Sequence, residues 1–251
     1  MPAHPEYAIV GNGQWAGVMH RILARQSRVT VVAETRRREG ETGSAYQERM
    51  GAALAATRAQ AAWICVPPGA HTPLLAAAAV SGGIHVVAEK PWAWGPSTTR
   101  SLHTLAQKAA ILIGVHFEYC LLDAVESWRS QFRGAAGLQF QGRFRISRPD
   151  RLGIPALQNL GSHLFAIHAY AAPFAQVCRL ECAYDRPDER AVSLSRAGRV
   201  LAAIDFTRNR EPIIQRFIER FEGAMAGAEF PFTLEFAWRV LETANAFVSG
   251  A

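Results

Sequence analysis

The chain of 251 residues has very little lysine: only Lys90 and Lys108 occur, and arginine supplies the rest of its 27 Lys and Arg residues. A guanidinium stays protonated in proteins, whereas burial and neighbouring groups can tune a lysine ammonium to exchange a proton near neutral pH. The apolar run 85–88 is followed by Glu89-Lys90-Pro91, so Lys90 lies at the end of a predicted strand. It is therefore a candidate for chemistry, the alternative being a solvated side chain at a strand end.

Long apolar runs are also missing. No stretch approaches the roughly 18 apolar residues of a membrane span. The first residues show no basic segment followed by an apolar one, which is the pattern of a secretory signal. Hydrophobic residues make up 49% of the chain and charged residues 19%, as in ordinary globular proteins. We therefore expect a cytoplasmic protein with no membrane partner.

Paired cysteines and a basic patch are absent as well. The four cysteines, Cys65, Cys120, Cys178 and Cys182, do not show metal-ligand spacing, so reduced thiols are favoured over a metal site or a disulfide. The net charge of +6 comes from arginines spread along the chain, with a single cluster at 36–38 and no aromatic residues around it. A nucleic-acid partner is therefore not predicted.

The first half alternates apolar strands with helical patterns. Predicted strands cover 7–10, 29–33, 62–66, 85–89 and 111–115, and predicted helices cover 15–26, 71–81 and 97–109. Strands that are apolar throughout and separated by helices are typical of a parallel sheet covered on both faces. The sequence predicts an α/β chain whose residues 1–117 form a doubly wound Rossmann domain.

The rhythm changes after residue 117. Predicted helices cover 119–133, 159–171, 211–226 and 232–249, and predicted strands cover 138–146, 177–184, 190–196 and 199–207. Successive strands with helices grouped around them predict a smaller α+β domain over 118–251, with a mostly antiparallel open sheet.

A glycine-rich turn joins the first strand to the first helix. The segment reads G-x-G-x-x-A from Gly11 to Ala16, with Gln14 and Trp15 at its variable positions. Gly11 would allow a tight turn, Gly13 would let the backbone approach a pyrophosphate, and Ala16 would let the helix pack closely on the strand. The free N–H groups of the helix would hold the phosphates.

An acidic residue follows at the end of the second strand. Glu34 lies 23 residues beyond Gly11, near the expected spacing of about 20, and would bind the ribose hydroxyls of a dinucleotide. Arg36, Arg37 and Arg38 could neutralise the 2′-phosphate of NADP, which Glu34 would repel. The sequence therefore predicts NAD or NADP and favours NAD, with a solvated Glu34 as the alternative.

Two segments carry a family resemblance: ICVPPGAH at 64–71 and GGIHVVAEKP at 82–91. Together with Gly114 they resemble the glucose-fructose oxidoreductase / inositol dehydrogenase / MocA family. The resemblance implies that Lys90 lies beside the nicotinamide and the substrate, and that Pro67 and Pro68 form the turn bordering the nicotinamide. It also assigns Glu89 to the cofactor site and His71 to its surroundings.

The segment from Asn159 to His163 resembles the family's Asp-x-Gly-x-His motif. His163 matches the catalytic histidine, which exchanges a proton with the reacting oxygen. Asn159 replaces the aspartate, and Ala166 stands where a second acidic residue often follows. Because an amide neither carries a proton nor stabilises an imidazolium as a carboxylate does, the dyad is altered. A histidine that merely packs in the helix is the alternative.

The resemblance implies an NAD(P)-dependent oxidoreductase, a compact variant with only ten residues, 149–158, before the Asn159 motif. It would transfer hydride to or from a carbonyl/alcohol or imine/amine substrate, with reduction of a small biosynthetic intermediate favoured. Relatives pair their open sheets, so a homodimer or homotetramer is expected. The altered motif leaves a second hypothesis: a non-catalytic nucleotide-binding protein that acts as a sensor or partner subunit.

Overall fold

Five short strands, almost entirely apolar, form a parallel sheet in the first half of the chain. In the computed structural model they are β1 (Tyr7–Val10), β2 (Val29–Val32), β3 (Ala61–Ile64), β4 (His85–Ala88) and β5 (Ile113–Val115). Their order is β2-β1-β3-β4-β5, and each pair is parallel. Every residue of β1 and β3 is buried, as expected when helices cover both faces. The predicted doubly wound sheet is confirmed.

The helices of this half are α1 (Gln14–Leu23), α2 (Gly43–Thr57), α3 (Thr72–Ser81) and α4 (Pro96–Ala109). The sequence prediction did not include α2. Its buried stripe is narrow, since Tyr46, Met50 and Leu54 recur at intervals of four among alanines and glycines. The available signal was Thr42, whose hydroxyl caps the helix by accepting from the Ala45 N–H at 3.2 Å.

A second sheet follows, made of β6 (Gln139–Ile146), β7 (Gln176–Tyr184), β8 (Glu189–Arg196) and β9 (Arg199–Asp205). Its order is β7-β6-β8-β9, with β6 and β7 parallel and the other two pairs antiparallel. The predicted mostly antiparallel sheet is confirmed. The parallel pair exists because the helices between β6 and β7 carry the chain back to the end at which β6 began.

The other helices are a 3₁₀ turn (Glu118–Leu121), α5 (Asp123–Gln131), α6 (Ala156–Asn159), α7 (Gly161–Ala171), α8 (Glu211–Met225) and α9 (Leu234–Ser249). The structure describes residues 4–67, 69, 71–90, 96–147, 155–184, 186–207 and 211–249. Among these residues, no helix combines the length and the apolar character needed to cross a membrane.

The chain divides into two units. The first contains Met1–His116 and Ile218–Trp238, and the second contains Phe117–Phe217 and Arg239–Ala251. The first division falls beside the predicted boundary at 117/118. The return of 218–238 to the first unit was not part of the prediction of two consecutive segments. It is fastened along β5, where the Val115 N–H donates to the Phe232 carbonyl at 2.8 Å.

Gly114 in β5 makes room for this returning segment. A Cβ at this position would lie 2.8 Å from the Phe230 ring and 3.3 Å from the Phe221 ring, closer than van der Waals contact permits. Both rings belong to the first unit and contact each other edge to face. Glycine is therefore required here by packing and not by backbone conformation.

We expect Gly114→Ala to lower the free energy of unfolding by about 1–3 kcal/mol, because the added methyl overpacks the Phe221 and Phe230 rings. Gly51→Ala is the matched control: no described atom lies within 4 Å of its Cβ position, and alanine favours the α2 helix by up to about 1 kcal/mol. Urea denaturation measures both. Equal effects of the two substitutions would contradict this account.

Candidate functional site

The turn after β1 depends on Gly11. Its φ of +126° is a conformation that side chains with a Cβ rarely adopt. A Cβ would also lie 3.0 Å from the carbonyl oxygen of Cys65, which follows β3. The Gly11 N–H donates to the Val32 carbonyl at 2.9 Å, so the turn is held between neighbouring strands. Gly11 serves the chain's own structure, as the sequence predicted for a tight turn.

Gly13 has a different environment. It precedes α1 with a φ of −75°, which any residue can adopt, and no described atom lies within 4 Å of where its Cβ would be. Neither conformation nor packing within the described residues requires a glycine at this position. The open space beside it suits close approach by a ligand, which is the role predicted for Gly13.

The start of α1 has the features of an anion site. The N-cap residue, Gly13, makes no side-chain capping bond, and the first turn of α1 contains no acidic residue. The N–H groups of the first turn have no partners within an α-helix, and the helix dipole favours negative charge there. Gln14 is exposed, while the small side chain of Ala16 is 3% exposed and lets the helix approach the sheet. These residues fit the pyrophosphate of a dinucleotide.

Glu34 follows β2, and its side chain is 72% exposed. Arg38 Nη2 lies 3.1 Å from Glu34 Oε1. One of the three arginines that could favour NADP is therefore paired with the acidic residue that would repel the 2′-phosphate of NADP. Arg36 and Arg37 are exposed on the same loop. The structure therefore brings the acidic group that favours NAD next to a basic group that could favour NADP.

Two residues that sequence reasoning missed hold this loop. Arg49 on α2 donates from Nε to Glu41 Oε1 at 2.8 Å and from Nη2 to the Arg36 carbonyl at 2.9 Å. A further bond of 3.3 Å joins its Nη1 to the Glu34 carbonyl. The hydrogen bond from Arg49, followed by that from the Arg38 N–H, lowers the pKa of Glu41 to about 2. No spacing rule linked Glu41 or Arg49 to Glu34.

The turn after β3 leads into α3. Pro67 is exposed, and its carbonyl accepts from the Thr72 hydroxyl at 3.4 Å. Pro68, the other proline predicted to border the nicotinamide, lies outside the described residues. His71 is half-buried at the start of α3, with its ring edge-on to Tyr46 at 6.5 Å. Burial lowers the pKa of His71, and the charge of Arg37 lowers it further, which favours the neutral imidazole.

Glu89, directly after β4, accepts three hydrogen bonds on one oxygen. The donors to Oε1 are Trp15 Nε1 at 2.5 Å, Trp63 Nε1 at 3.0 Å and His116 Nδ1 at 3.1 Å. His116 is fully buried and stacks on Trp15. Sequence reasoning assigned Glu89 to the cofactor site and did not find this cluster. The available signal was that Glu89 and His116 directly follow β4 and β5, neighbouring strands whose carboxyl ends lie at one edge of the sheet.

The cluster keeps a negative charge at the sheet edge. Burial is the largest influence and raises the pKa of Glu89, but the charge and hydrogen bond of His116 and the two indole hydrogen bonds lower that pKa overall. Glu89 is therefore a carboxylate near neutral pH. Lys90 comes next in the chain and is half-buried. Its backbone is adjacent to a carboxylate fixed by three donors.

In the second unit, His163 lies in the first turn of α7 and is 3% exposed. The Tyr119 ring meets it edge-on at 4.6 Å, and the Phe144 ring stacks on it at 5.4 Å with an interplanar angle of 10°. Gly142 permits the close approach of α7, since a Cβ there would lie 2.9 Å from Leu164. Sequence reasoning found the histidine but neither ring.

Asn159 is the last residue of α6. Its Nδ2 donates to the Tyr184 hydroxyl at 2.9 Å, while its backbone carbonyl accepts from Ser162 Oγ at 2.8 Å. Ala166 is buried within α7. Among the residues that the structure describes, no group of three or more His, Cys, Asp or Glu side chains is arranged to hold a metal ion.

Several solved structures have the same fold. The structure of GenD2 from gentamicin A biosynthesis, in complex with NAD, is 18% identical, covers 98% of this chain and 93% of its own, and has a TM-score of 0.74. UDP-N-acetylglucosamine 3-dehydrogenase GnnA from Acidithiobacillus ferrooxidans is 17% identical over 97% and 96%, with a TM-score of 0.76. An inositol dehydrogenase homologue from Azotobacter vinelandii, bound to NADH and myo-inositol, is 14% identical over 97% and 94%, with a TM-score of 0.72.

A search of curated proteins gave no match. Residues 6–117, however, match the model of an oxidoreductase family with an NAD-binding Rossmann fold. This segment contains the glycine turn, Glu34, the proline turn and the Glu89 cluster. The segment 6–117 is therefore similar to the NAD-binding Rossmann domain of the glucose-fructose oxidoreductase / inositol dehydrogenase / MocA oxidoreductases, and the cofactor that it indicates is NAD or NADP.

Proposed function

We propose that the protein is an NAD(P)-dependent enzyme that transfers hydride between the nicotinamide and a small carbonyl/alcohol or imine/amine substrate. One observation carries this proposal: Lys90 directly follows Glu89, whose side chain is 13% exposed, at the carboxyl end of β4, where ligands of doubly wound sheets bind. A UDP-N-acetylglucosamine 3-dehydrogenase and an inositol dehydrogenase homologue are among the similar structures, which favours a substrate of the sugar or cyclitol class.

The proposed mechanism assigns one proton-handling role to each of two side chains. When bound, the nicotinamide supplies or accepts the hydride. Lys90 polarises the reacting oxygen or nitrogen by a hydrogen bond or gives it the one proton that accompanies the hydride. Where Lys90 only polarises, His163 exchanges that proton. Asn159 contributes hydrogen bonding only. Because no carboxylate stands at 159 to stabilise an imidazolium, we favour reduction over oxidation.

A specific observation supports the non-catalytic alternative. His163 is packed against Tyr119 and Phe144, and the amide of Asn159 binds Tyr184. Such a histidine could be structural, and the protein would then be a nucleotide-dependent sensor or partner subunit. Stereospecific transfer of deuterium from [4-²H]NADH or [4-²H]NADPH to any carbonyl or imine in a broad panel would exclude this alternative. Cofactor binding without transfer across the panel would favour it.

We expect Lys90→Met to lower kcat by about 10²–10⁴-fold with little change in cofactor affinity, because it removes the group that polarises the substrate. Lys90→Arg should fail similarly, since a guanidinium does not release a proton. Lys108→Met, on the exposed side of α4, is the matched control and should retain turnover. Steady-state kinetics with the substrate found in the panel measure all three. Full activity of Lys90→Met would refute the proposed role.

We expect Gly13→Ala to raise the Kd for the reduced cofactor by about tenfold or more while leaving the melting temperature within about 1 °C. The methyl would occupy space that the protein leaves open, so the loss falls on the ligand and not on the fold. Titration of nicotinamide fluorescence gives the Kd, and thermal unfolding gives the stability. Unchanged affinity would show that the dinucleotide does not approach this glycine.

Cofactor choice is proposed to depend on Glu34, with NAD preferred. We expect Glu34→Gln to shift the ratio of the NADPH and NADH dissociation constants towards NADPH by about tenfold, because it removes the charge that repels a 2′-phosphate and releases Arg38. Glu39→Gln, exposed on the same loop, removes an equal charge and should leave the ratio within about twofold. A wild-type preference for NADPH would overturn the assignment.

A cytoplasmic homodimer or homotetramer is also proposed. The exposed face of the second sheet is a balanced array in which Arg143 lies 3.1 Å from Glu181 and 2.9 Å from Glu189. Val200 at its edge is 59% exposed. Covering charges that are already paired within one copy costs less than covering unpaired charges. Light scattering should give a mass of two or four chains, and a monomer would contradict the proposal.

A further inference from the structure

The indole of Trp15 links two parts of the cofactor half that are far apart in sequence. Trp15 lies in the first turn of α1, two residues after Gly13, and its Nε1 donates to Glu89 Oε1 at 2.5 Å. Glu89 immediately precedes Lys90. One hydrogen bond therefore joins the glycine turn, which would hold the pyrophosphate, to the residue before the proposed catalytic lysine.

The other two donors differ from Trp15 in what they attach. Trp63 is fully buried within β3. His116 follows β5, and its backbone N–H donates to the Ala88 carbonyl at 3.0 Å. Both fasten Glu89 to the rigid sheet. Trp15 is half-buried, and it alone among the three lies beside the open space at Gly13. A change at the glycine turn can reach Glu89 through Trp15 without passing through the core.

Charge makes this connection strong. An indole N–H can only donate, and an ionised carboxylate, which only accepts, suits two indoles and an imidazole as their shared acceptor. Hydrogen bonds to a charged group are about twice as strong as neutral ones. Three such bonds leave the Glu89 side chain little freedom. Lys90 follows Glu89 directly, so its backbone is attached to a residue that is held in place.

We propose that Glu89 is a positioning residue through which Trp15 couples the glycine turn to Lys90. Binding of a dinucleotide at the turn then fixes Lys90 as well, so that the lysine is oriented when the cofactor is present. Trp15 touches neither reacting atom in this role; it acts through Glu89. The inference rests on the proposed function of Lys90 and adds the route by which that lysine is held.

The scarcity of lysine makes Lys90 directly measurable. An acylating reagent has Lys90, Lys108 and the N-terminal amine as its amine targets, and peptide mass spectrometry separates them. Exposed Lys108 on α4 serves as the internal reference. The labelling ratio of Lys90 to Lys108 is recorded for the full chain, with and without NADH and NADPH, and cofactor Kd and melting temperature are measured on the same samples.

We expect Trp15→Phe, which keeps an aromatic ring but loses the N–H, to raise the labelling ratio without cofactor by about threefold and the cofactor Kd by about tenfold. Glu89→Gln should move both readings in the same direction, because it keeps the shape but removes the charge. Trp63→Phe, the matched control, removes a donor to the same oxygen from β3. It should lower the melting temperature and leave both readings within about twofold.

The outcomes separate this inference from the proposed function. The coupling through Trp15 would be overturned if Trp15→Phe left the labelling ratio and the cofactor Kd within about twofold, as expected of Trp63→Phe. It would also be overturned if Trp63→Phe raised the labelling ratio as much as Trp15→Phe. A response to Glu89→Gln without one to Trp15→Phe would overturn it too. Wild-type protein that binds cofactor but transfers no hydride defeats the proposed enzyme function alone, since labelling of Lys90 without cofactor still tests the coupling.

Discussion

A single carboxylate oxygen organises the carboxyl edge of the first sheet. Glu89 Oε1 accepts from Trp15, Trp63 and His116, which stand after or at the ends of β1, β3 and β5. A buried charge is costly unless it is paired and hydrogen-bonded, and here three donors meet that cost. The strands, the glycine turn and the segment that begins at Lys90 are thereby held in one arrangement.

Gly11, Gly13 and Gly114 show that glycines of one fold can be present for different physical reasons. Gly11 is required by a positive φ and by the Cys65 carbonyl, and Gly114 by the rings of Phe221 and Phe230. No described atom lies within 4 Å of a Cβ at Gly13, so space is left there for a ligand. Motif spacing separated the roles of Gly11 and Gly13, but no local pattern showed that the Phe221 and Phe230 rings require a glycine at 114. The surroundings distinguish a glycine required by conformation or packing from one that lies beside open space.

The candidate residues of the second unit, unlike Gly13, are packed against other side chains. His163 lies against Tyr119 and Phe144, and Asn159 is engaged by Tyr184. A buried imidazole between rings is restrained in orientation, which suits either a proton-transfer group of fixed direction or a structural side chain. The replacement of a carboxylate by an amide at 159 keeps a hydrogen-bonding group there but removes the charge. Of these two candidate residues, His163 is the one whose side chain can carry a proton.

The sequence determined the strands, most helices and the class of the first domain, because apolar periodicity and glycine turns are local signals. It also identified Lys90 and Glu34 as candidates. Tertiary structure alone decided that Glu89 binds three donors, that Arg49 holds the Glu34 loop, and that 218–238 returns to the first unit. These contacts join residues that are far apart in the chain, or on elements without periodic signals, so no local pattern specifies them.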